Sequence, residues 1–263
     1  MSAYHAKKRL GQNFLHSPEI IERIVALTEP GESDTIIEIG PGRGALTLAL
    51  AQTDARVIGV EFDRDLIGYL QKLLRKCPAV TIIHEDFLKY QPDTEAFKLI
   101  GNLPFNLTAP VIDWTIAHSS AVKAAVFMVQ REVAHRLGAE CGSRDWSPMS
   151  VMVQMHFDVE LSFDVAAKHF RPPPKVTSSV VKLTPRPAMP AADNAFLETV
   201  LRESFRQRRK LLVNNLAPTL VADAAEAAEI LTELGLEAKC RAEELTVEQF
   251  LKLTAHLAGR KMK

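Results

Sequence analysis

Residues 37–45 read Ile-Glu-Ile-Gly-Pro-Gly-Arg-Gly-Ala, and this stretch decides the fold. The apolar, β-branched run Thr35–Ile39 predicts a strand, whereas the residues from Ala45 to Gln52 have the spacing of a helix. The glycines between them let the backbone approach a ligand without side chains in the way. A strand, a glycine turn and a helix in this order favour a nucleotide-like ligand.

Strands and helices alternate along the chain on both sides of this turn. A basic arm and a helix that starts at Ser17-Pro18 precede it. Further strands are predicted at 56–60, 80–83, 97–100, 124–129, 159–165 and 178–184, and helices at 63–76 and 110–118. The sequence therefore predicts an α/β fold, with βαβ units around a mostly parallel, Rossmann-like sheet.

The character of the chain changes after the linker-like stretch Arg186–Pro190. Strand signals stop there, and apolar residues recur at helical spacing around 196–201, 224–234 and 247–257. We therefore expect a sheet domain over residues 1–188 and a small all-helical domain over 189–263.

The composition is that of an ordinary globular protein. Of the 263 residues, 47% are hydrophobic and 24% charged, which argues against the disordered, collagen-like and disulfide-rich classes. No apolar run approaches the roughly 18 residues of a membrane span. The cysteines (Cys77, Cys141 and Cys240) are odd in number, and the histidines show no metal-ligand spacing. We expect a cytoplasmic protein without a secretory signal or metal site.

Charge is unevenly distributed along the chain, although 32 basic and 32 acidic residues cancel. Residues 1–18 hold three basic residues and no acid, whereas 164–186 and 202–210 each hold five basic residues and one acid. Residues 219–248 instead hold eight acids and two basic residues. The basic clusters either converge into one phosphate-binding face or are separate solvated surfaces.

Two acidic residues follow later strands of the predicted sheet. Glu61 lies 21 residues after Gly40, where a carboxylate can bind both hydroxyls of a ribose. Asp86 follows the next strand, where it can recognise an adenine amino group. At this point NAD and S-adenosylmethionine (SAM) both remain possible cofactors, and a purely structural glycine turn is a third reading.

The tetrapeptide Asn102-Leu103-Pro104-Phe105 points to the chemistry, because it follows the fourth strand and lies at the same edge of the sheet. The Asn102 oxygen and a main-chain carbonyl near Leu103-Pro104 can accept the hydrogens of an adenine amine and favour a more tetrahedral nitrogen. Pro104 fixes the turn, and Phe105 offers a flat face on which a base can stack.

Taken together, these motifs resemble the KsgA (RsmA) family of small-subunit rRNA adenine dimethyltransferases. The matching segments are ordered along nearly the whole chain: 6–15, 38–42, Glu61, Asp86, 101–105, 170–178 and 205–210. The resemblance implies a Rossmann-like, SAM-dependent methyltransferase. Its reaction would place two methyl groups on each of two adjacent adenosines near the 3′ end of 16S rRNA, late in assembly of the small ribosomal subunit.

The resemblance also implies roles for individual residues. The catalytic turn would be Asn102, Leu103, Pro104 and Phe105. The cofactor would be bound by Asn13, Leu15, Gly40, Glu61, Asp86 and Asn102. RNA would be bound by Phe105, Phe170, Arg206, Arg208, Arg209 and Lys210, and the helical domain would bind RNA or the ribosome. The family usually has tyrosine where this chain has Phe105, so stacking is retained but the hydroxyl is lost.

Other functional classes remain as alternatives. An NAD-dependent dehydrogenase is compatible with the glycine turn but leaves the Asn102–Phe105 turn unexplained. A non-catalytic RNA binder on the same scaffold and an Erm-type methyltransferase of 23S rRNA are the others. No hydrophobic repeat indicates an obligate oligomer, so we expect a monomer.

Overall fold

A computed structural model describes residues 7, 11–187 and 194–261. Its chain forms two compact units. The sheet unit contains the described residues up to Ala134 together with Phe157–Pro185. The helical unit contains His135–His156 and the described residues from Arg186 onward.

The sheet unit is built on a seven-stranded sheet and a separate two-stranded one. The strands are β1 (Phe14–Leu15), β2 (Thr35–Ile39), β3 (Arg56–Glu61), β4 (Val80–His84), β5 (Phe97–Asn102), β6 (Val122–Gln130), β7 (Phe157–Val165), β8 (Phe170–Arg171) and β9 (Ser178–Pro185). The large sheet has the order β4-β3-β2-β5-β6-β9-β7, in which the pairs from β4 to β6 are parallel and β9 is antiparallel to both of its neighbours, β6 and β7. Strand order reverses between β2 and β5, the point where such sheets bind ligands.

The central strands are largely apolar and are buried on both faces, because helices cover the sheet. These helices are α1 (Pro18–Leu27), α2 (Ala45–Leu50), α3 (Arg64–Leu73), α4 (Thr108–Ala117) and α5 (Arg131–Leu137), which leads into the helical unit. Gly44 precedes α2 with a φ of 77°, and a Cβ there would lie 2.9 Å from Leu73 Cδ2. Glycine is therefore required both by the left-handed backbone and by the close packing of α3.

The N-terminal arm is held by the two-stranded sheet of β1 and β8. Leu15 lies opposite Phe170, and the His16 amide donates to the His169 carbonyl at 3.0 Å. Leu15 and Phe170 are both buried in the core cluster beneath α1 and α2. This pairing positions residues 11–15 at the carboxyl edge of the large sheet.

The helical unit has its own hydrophobic core. Its helices are α6 (Pro148–His156), α7 (Asn194–Ser204), α8 (Leu212–Leu216), α9 (Ala224–Glu233) and α10 (Val247–Lys261). Trp146 and Phe250 are fully buried among leucines and isoleucines of this unit. The Trp146 indole N–H donates to the Leu245 carbonyl at 3.0 Å, so its polar group is satisfied inside the core.

The predicted fold class is confirmed, with several differences in detail. Helices α5, α6 and α8 were not predicted, and the helix expected at 63–76 ends at Leu73. The expected boundary between the two domains, at 188/189, also differs from the structure. Residues 135–156 belong to the helical unit, and the chain leaves the sheet unit for the second time after Pro185. The physical reason is that Val151 and Met155 of α6 pack in the helical core. The short unpredicted helices are too brief to show a clear period.

Candidate functional site

A cavity of about 260 Å³ opens at the carboxyl edge of the parallel strands. It is lined by the arm residues 11–15 and by the segments that follow β2, β3, β4 and β5. The structure thus brings together every predicted cofactor and catalytic residue: Asn13, Leu15, Gly40, Glu61, Asp86, Asn102, Leu103, Pro104 and Phe105. Phe170 also lines the cavity, whereas residues 206–210 belong to the helical unit.

The glycine turn leaves its backbone open to this cavity. Gly40 has a φ of 64°, and its amide donates to the Val60 carbonyl at 2.9 Å. A Cβ at Gly40 would meet no atom within 4 Å, so the space beside this backbone is available to a ligand. At Gly42 the side of the turn is instead covered by the Phe14 ring of the arm.

The Glu61 carboxylate, at the end of β3, connects the segment that follows β2 with the segment that follows β3 through hydrogen bonds. Its Oε2 accepts the Gly42 amide at 2.8 Å and its Oε1 accepts the Asp63 amide at 2.7 Å. Burial raises the pKa of this carboxyl, while the two backbone donors oppose the shift. Each carboxylate oxygen retains capacity for a further hydrogen bond, so the same group can fasten the glycine turn and bind a ligand.

Glu38 is a buried acid that the sequence reasoning did not single out. It lines the cavity floor, and its Oε2 has no hydrogen-bond partner in the described part of the protein. Burial raises the pKa of Glu38 to about 8, with repulsion from Glu61 adding to the rise and a contact with Thr47 opposing it. An acid inside the apolar run Thr35–Ile39 is the signal that could have identified it.

Replacing Glu38 with glutamine should flatten the pH dependence of stability. The neutral acid is favoured in the fold, so its contribution is full below pH about 4.5 and is lost as the pH rises toward 8. Between pH 5.5 and 8 the free energy of unfolding of Glu38→Gln should gain roughly 3 kcal/mol relative to wild type in denaturant titrations. For the exposed control Glu32→Gln, the difference in free energy of unfolding from wild type should not change with pH. If the difference for Glu38→Gln does not change with pH either, a neutral Glu38 is refuted.

Asn102 is held in one orientation by the arm. Its Nδ2 donates to the main-chain oxygen of Asn13 at 2.8 Å. A carbonyl oxygen can only accept, so the amide nitrogen must face Asn13 and the Oδ1 atom must point away from it. In the same turn, the Leu103 amide donates to the Met128 carbonyl and the Leu107 amide donates to the Pro104 carbonyl.

Charged contacts hold the start of the arm over the strand ends. The Lys7 ammonium lies 2.6 Å from Asp63 Oδ1 and 2.7 Å from Asp65 Oδ2, and these hydrogen bonds raise the pKa of Lys7 to about 12. Gln12 Nε2 donates to the second oxygen of Asp63 at 3.1 Å. Lys7 and Gln12 thus both contact Asp63, at the start of α3.

The two aromatic residues predicted to bind RNA, Phe105 and Phe170, differ in exposure. Phe105 is 38% exposed and presents its ring at the mouth of the cavity. Phe170 is only 2% exposed, because it also packs in the core with Leu15. Asp86 caps the short 3-10 turn Phe87–Lys89 by accepting the Leu88 amide through Oδ1 at 3.1 Å. Its other oxygen retains acceptor capacity toward the cavity.

The basic cluster of the helical unit divides into tethered and untethered cations. The Arg208 guanidinium donates to the carbonyls of Arg144 and Trp146 and pairs with Glu243 at 3.5 Å. Arg206 lies 3.7 Å from Glu203. Arg209 and Lys210 are exposed and have no ion pair within the described residues. RNA binding by Arg208 stays a prediction, and its guanidinium in addition holds the turn that carries the cluster.

Residues 11–187 and 194–261, together with residue 7, contain no group of three or more His, Cys, Asp or Glu side chains placed to hold a metal ion. Nor does any helix in those ranges have the length and apolarity needed to span a membrane.

A mostly parallel sheet with a glycine turn, a buried carboxylate and an asparagine turn around one cavity is typical of Rossmann-like methyltransferases. The family model described as ribosomal RNA adenine dimethylase matches residues 3–258. The chain belongs to this family, which decides against the dehydrogenase alternative.

Individual relatives agree with this assignment. The ribosomal RNA small subunit methyltransferase A of Pseudomonas aeruginosa is 41% identical, over 97% of this chain and 96% of the relative. A crystal structure of a dimethyladenosine transferase from Plasmodium falciparum shares the fold, with a TM-score of 0.82, 24% identity and coverage of 94% of this chain and 98% of that chain. The 23S rRNA methyltransferase ErmE matches with a TM-score of 0.74 and 27% identity, over 94% of this chain and 100% of the other.

Proposed function

We propose that the protein uses SAM to dimethylate the exocyclic amines of two adjacent adenosines near the 3′ end of 16S rRNA. The substrate would be the small ribosomal subunit or its precursor, and the enzyme would act as a cytoplasmic monomer in ribosome biogenesis. The observation that carries the proposal is the Asn102 amide, oriented by Asn13 at the edge of the cavity that Glu61 and the glycine turn also line. The 41% identical small-subunit relative favours this substrate over 23S rRNA.

The cavity residues fit this cofactor. The free space beside Gly40 admits the cofactor against the backbone, and the remaining acceptor sites of Glu61 suit the two ribose hydroxyls. Asp86 would accept from the adenine amine, and Asn13 and Leu15 would cover the cofactor from the arm. The unpartnered oxygen of Glu38 complements a positively charged ligand. When bound, SAM supplies a methyl group activated by its sulfonium.

The Asn102–Phe105 turn would prepare the target amine. Its nitrogen lone pair is delocalised into the adenine ring, which makes it a poor nucleophile. Asn102 Oδ1 and a main-chain oxygen near Pro104 would accept the two amine hydrogens and favour a tetrahedral nitrogen, a geometry realised only as the reaction proceeds. The positive charge passes from the donor to the amine, so positioning contributes more than a strong base, and the amine proton can leave to solvent.

Replacing Phe105 with alanine should weaken RNA binding but leave SAM binding nearly unchanged. The exposed ring provides a stacking face at the mouth of the cavity, and its loss should cost about 1 to 3 kcal/mol of base stacking. Fluorescence titrations would measure the affinity for SAM and the affinity for small ribosomal subunits from a strain that lacks the dimethylase. The matched control Phe105→Tyr retains the ring and should bind both ligands like wild type; a Phe105→Ala variant that lost SAM and kept RNA would contradict the stacking role.

Arg208 and Arg209 should differ in what they contribute. Arg208→Ala removes donors to two carbonyls and an ion pair, so it should lower the melting temperature of the protein. Arg209→Ala removes an exposed cation and should leave the melting temperature unchanged while weakening rRNA binding in a salt-dependent way. Thermal unfolding and binding at several salt concentrations separate the two effects. Equal loss of stability in both variants would show that Arg209 is also structural.

The proposed reaction is tested by transfer of radiolabelled methyl from SAM to small subunits from a strain that lacks the dimethylase. Label should appear as dimethyladenosine near the 3′ end of 16S rRNA, and fully methylated subunits should take up none. Absence of label despite measurable SAM binding would favour another RNA target or the non-catalytic alternative. Label in 23S rRNA instead would favour the Erm-type alternative.

A further inference from the structure

The outward face of α3 carries positive charge that no described acidic residue balances. Arg64 and Lys72 lie on the helix, and Arg75 and Lys76 follow directly in the turn after it. All four side chains are exposed and form no ion pair with the described residues. At 3.6 residues per turn, Arg64, Gly68 and Lys72 lie on the same side of the helix, opposite its buried leucines, and Arg75 and Lys76 follow its last turn.

The one acid on this face is already neutralised. Asp65 lies beside Arg64, and its carboxylate pairs with Lys7 of the arm at 2.7 Å. Helices α1 and α4 do not share this charge. Exposed α1 residues include two acids and one arginine, and the only ionisable residue of α4 is an aspartate. The cationic face is therefore specific to α3 among these three helices.

A glycine interrupts the same face. Gly68 lies one turn after Arg64 and one turn before Lys72, and a Cβ there would meet no atom within 4 Å. Packing therefore does not require glycine, although glycine weakens a helix interior. Its effect is to leave a gap between the two cations where a partner's backbone can approach closely. The adjacent Tyr69 is 47% exposed and offers a ring at the side of the gap.

The cationic face begins at the mouth of the catalytic cavity. Phe62 lines that cavity and is 58% exposed, and α3 starts two residues later. With a rise of 1.5 Å per residue, the helix extends roughly 12 Å from Arg64 to Lys72, and Arg75 and Lys76 follow its end. A polymer whose reacting unit enters the cavity can therefore continue along this helix.

We propose that the outward face of α3, formed by Arg64, Gly68, Lys72, Arg75 and Lys76, binds the phosphate backbone of rRNA that flanks the target adenosines. Gly68 is the point of closest approach. Unpaired cations release condensed counterions when they meet phosphates, whereas protein interfaces are depleted in lysine and rely on an apolar core. The inference rests on the proposed function, because it requires an rRNA substrate.

Two variants test this face. The pair Lys72→Glu and Arg75→Glu, combined in one chain, should weaken binding to small subunits and to naked 16S rRNA at least tenfold at 100 mM salt. The log–log salt slope should become shallower by about 1.5, since two phosphate contacts are lost. The matched control Lys239→Glu with Lys252→Glu makes the same charge change on two exposed residues, one in the acidic stretch 219–248 and one on α10, and should change affinity less than threefold. SAM affinity should be unchanged in both.

Gly68→Gln separates contact with RNA from a structural role. The substitution should raise the melting temperature, because glutamine is the better helix former, and yet weaken rRNA binding by closing the gap. If the double variant of α3 binds rRNA as well as the double control variant does, the inference is overturned. The proposed function would still stand in that case, provided that the wild-type protein methylates small subunits. Loss confined to whole subunits, with naked rRNA bound normally, would assign the face to a ribosomal protein and also overturn it. Wild-type protein that binds SAM but no rRNA would refute the proposed function itself.

Discussion

Asn102→Ala is expected to slow methyl transfer by about 10²- to 10³-fold, the range measured when one preorganised hydrogen-bond partner of a transition state is removed. The variant loses the acceptor that would hold an amine hydrogen, and it also loses the bond from Nδ2 to Asn13. One neutral hydrogen bond contributes about 0.5 to 1.5 kcal/mol, so SAM affinity should fall much less than the rate. Single-turnover transfer and equilibrium binding of SAM measure the two quantities.

Asn102→Asp distinguishes orientation from acceptor capacity. The aspartate retains an oxygen toward the amine, but its other oxygen faces the Asn13 carbonyl, where two acceptors repel. We therefore expect this variant to be slow as well. The exposed Asn214→Ala on α8 serves as a control and should transfer methyl groups like wild type. An Asn102→Ala variant within threefold of the wild-type rate would refute the role of the turn.

Glu61→Gln is expected to weaken SAM binding by about 10- to 100-fold with a much smaller effect on rRNA affinity. The amide has one acceptor oxygen in place of two and no charge, so it cannot satisfy both backbone donors and a ribose together. Loss of one hydrogen bond to a charged group costs about 1.5 to 3 kcal/mol, which corresponds to this range of affinity. Calorimetric titration with SAM provides the measurement.

Glu32→Gln makes the same chemical change on an exposed residue and should bind SAM like wild type. Unchanged SAM affinity in Glu61→Gln would mean that the carboxylate only fastens the glycine turn. Comparison with Phe105→Ala separates the two roles. Glu61→Gln should bind SAM more weakly, whereas Phe105→Ala should bind RNA more weakly.

Local patterns were sufficient for much of the fold and for the location of the site. Strand and helix periods are properties of neighbouring residues, so the alternation from Thr35 to Gln130 could be recognised without long-range information. Residues that end successive parallel strands must meet at one edge, and Glu61, Asp86 and Asn102 all line the same cavity. The roles assigned to them by resemblance remain to be tested.

Features that depend on contacts distant in sequence could not be predicted in this way. Asn13 and Asn102 are separated by 89 residues, and Lys7 and Asp63 by 56, so no local pattern connects these residues to their partners. Arg208 looks like its exposed neighbours in the sequence, but carbonyls 64 and 62 residues away bind its guanidinium. Likewise, α6 joins the helical unit through partners more than 40 residues downstream.

The order of residues was thus enough to predict a Rossmann-like sheet, its glycine turn and the acids and asparagine at its edge, because these follow from short-range periodicity and strand direction; the methyltransferase activity was implied by the resemblance to a known family. Three-dimensional packing determined the orientation of Asn102, the burial that raises the pKa of Glu38, the carbonyl contacts of Arg208 and the unpaired cations of α3. Each of these depends on which distant groups surround a side chain and how much water reaches it. Burial and pairing, rather than residue type, determine the charge and the hydrogen bonding of those groups.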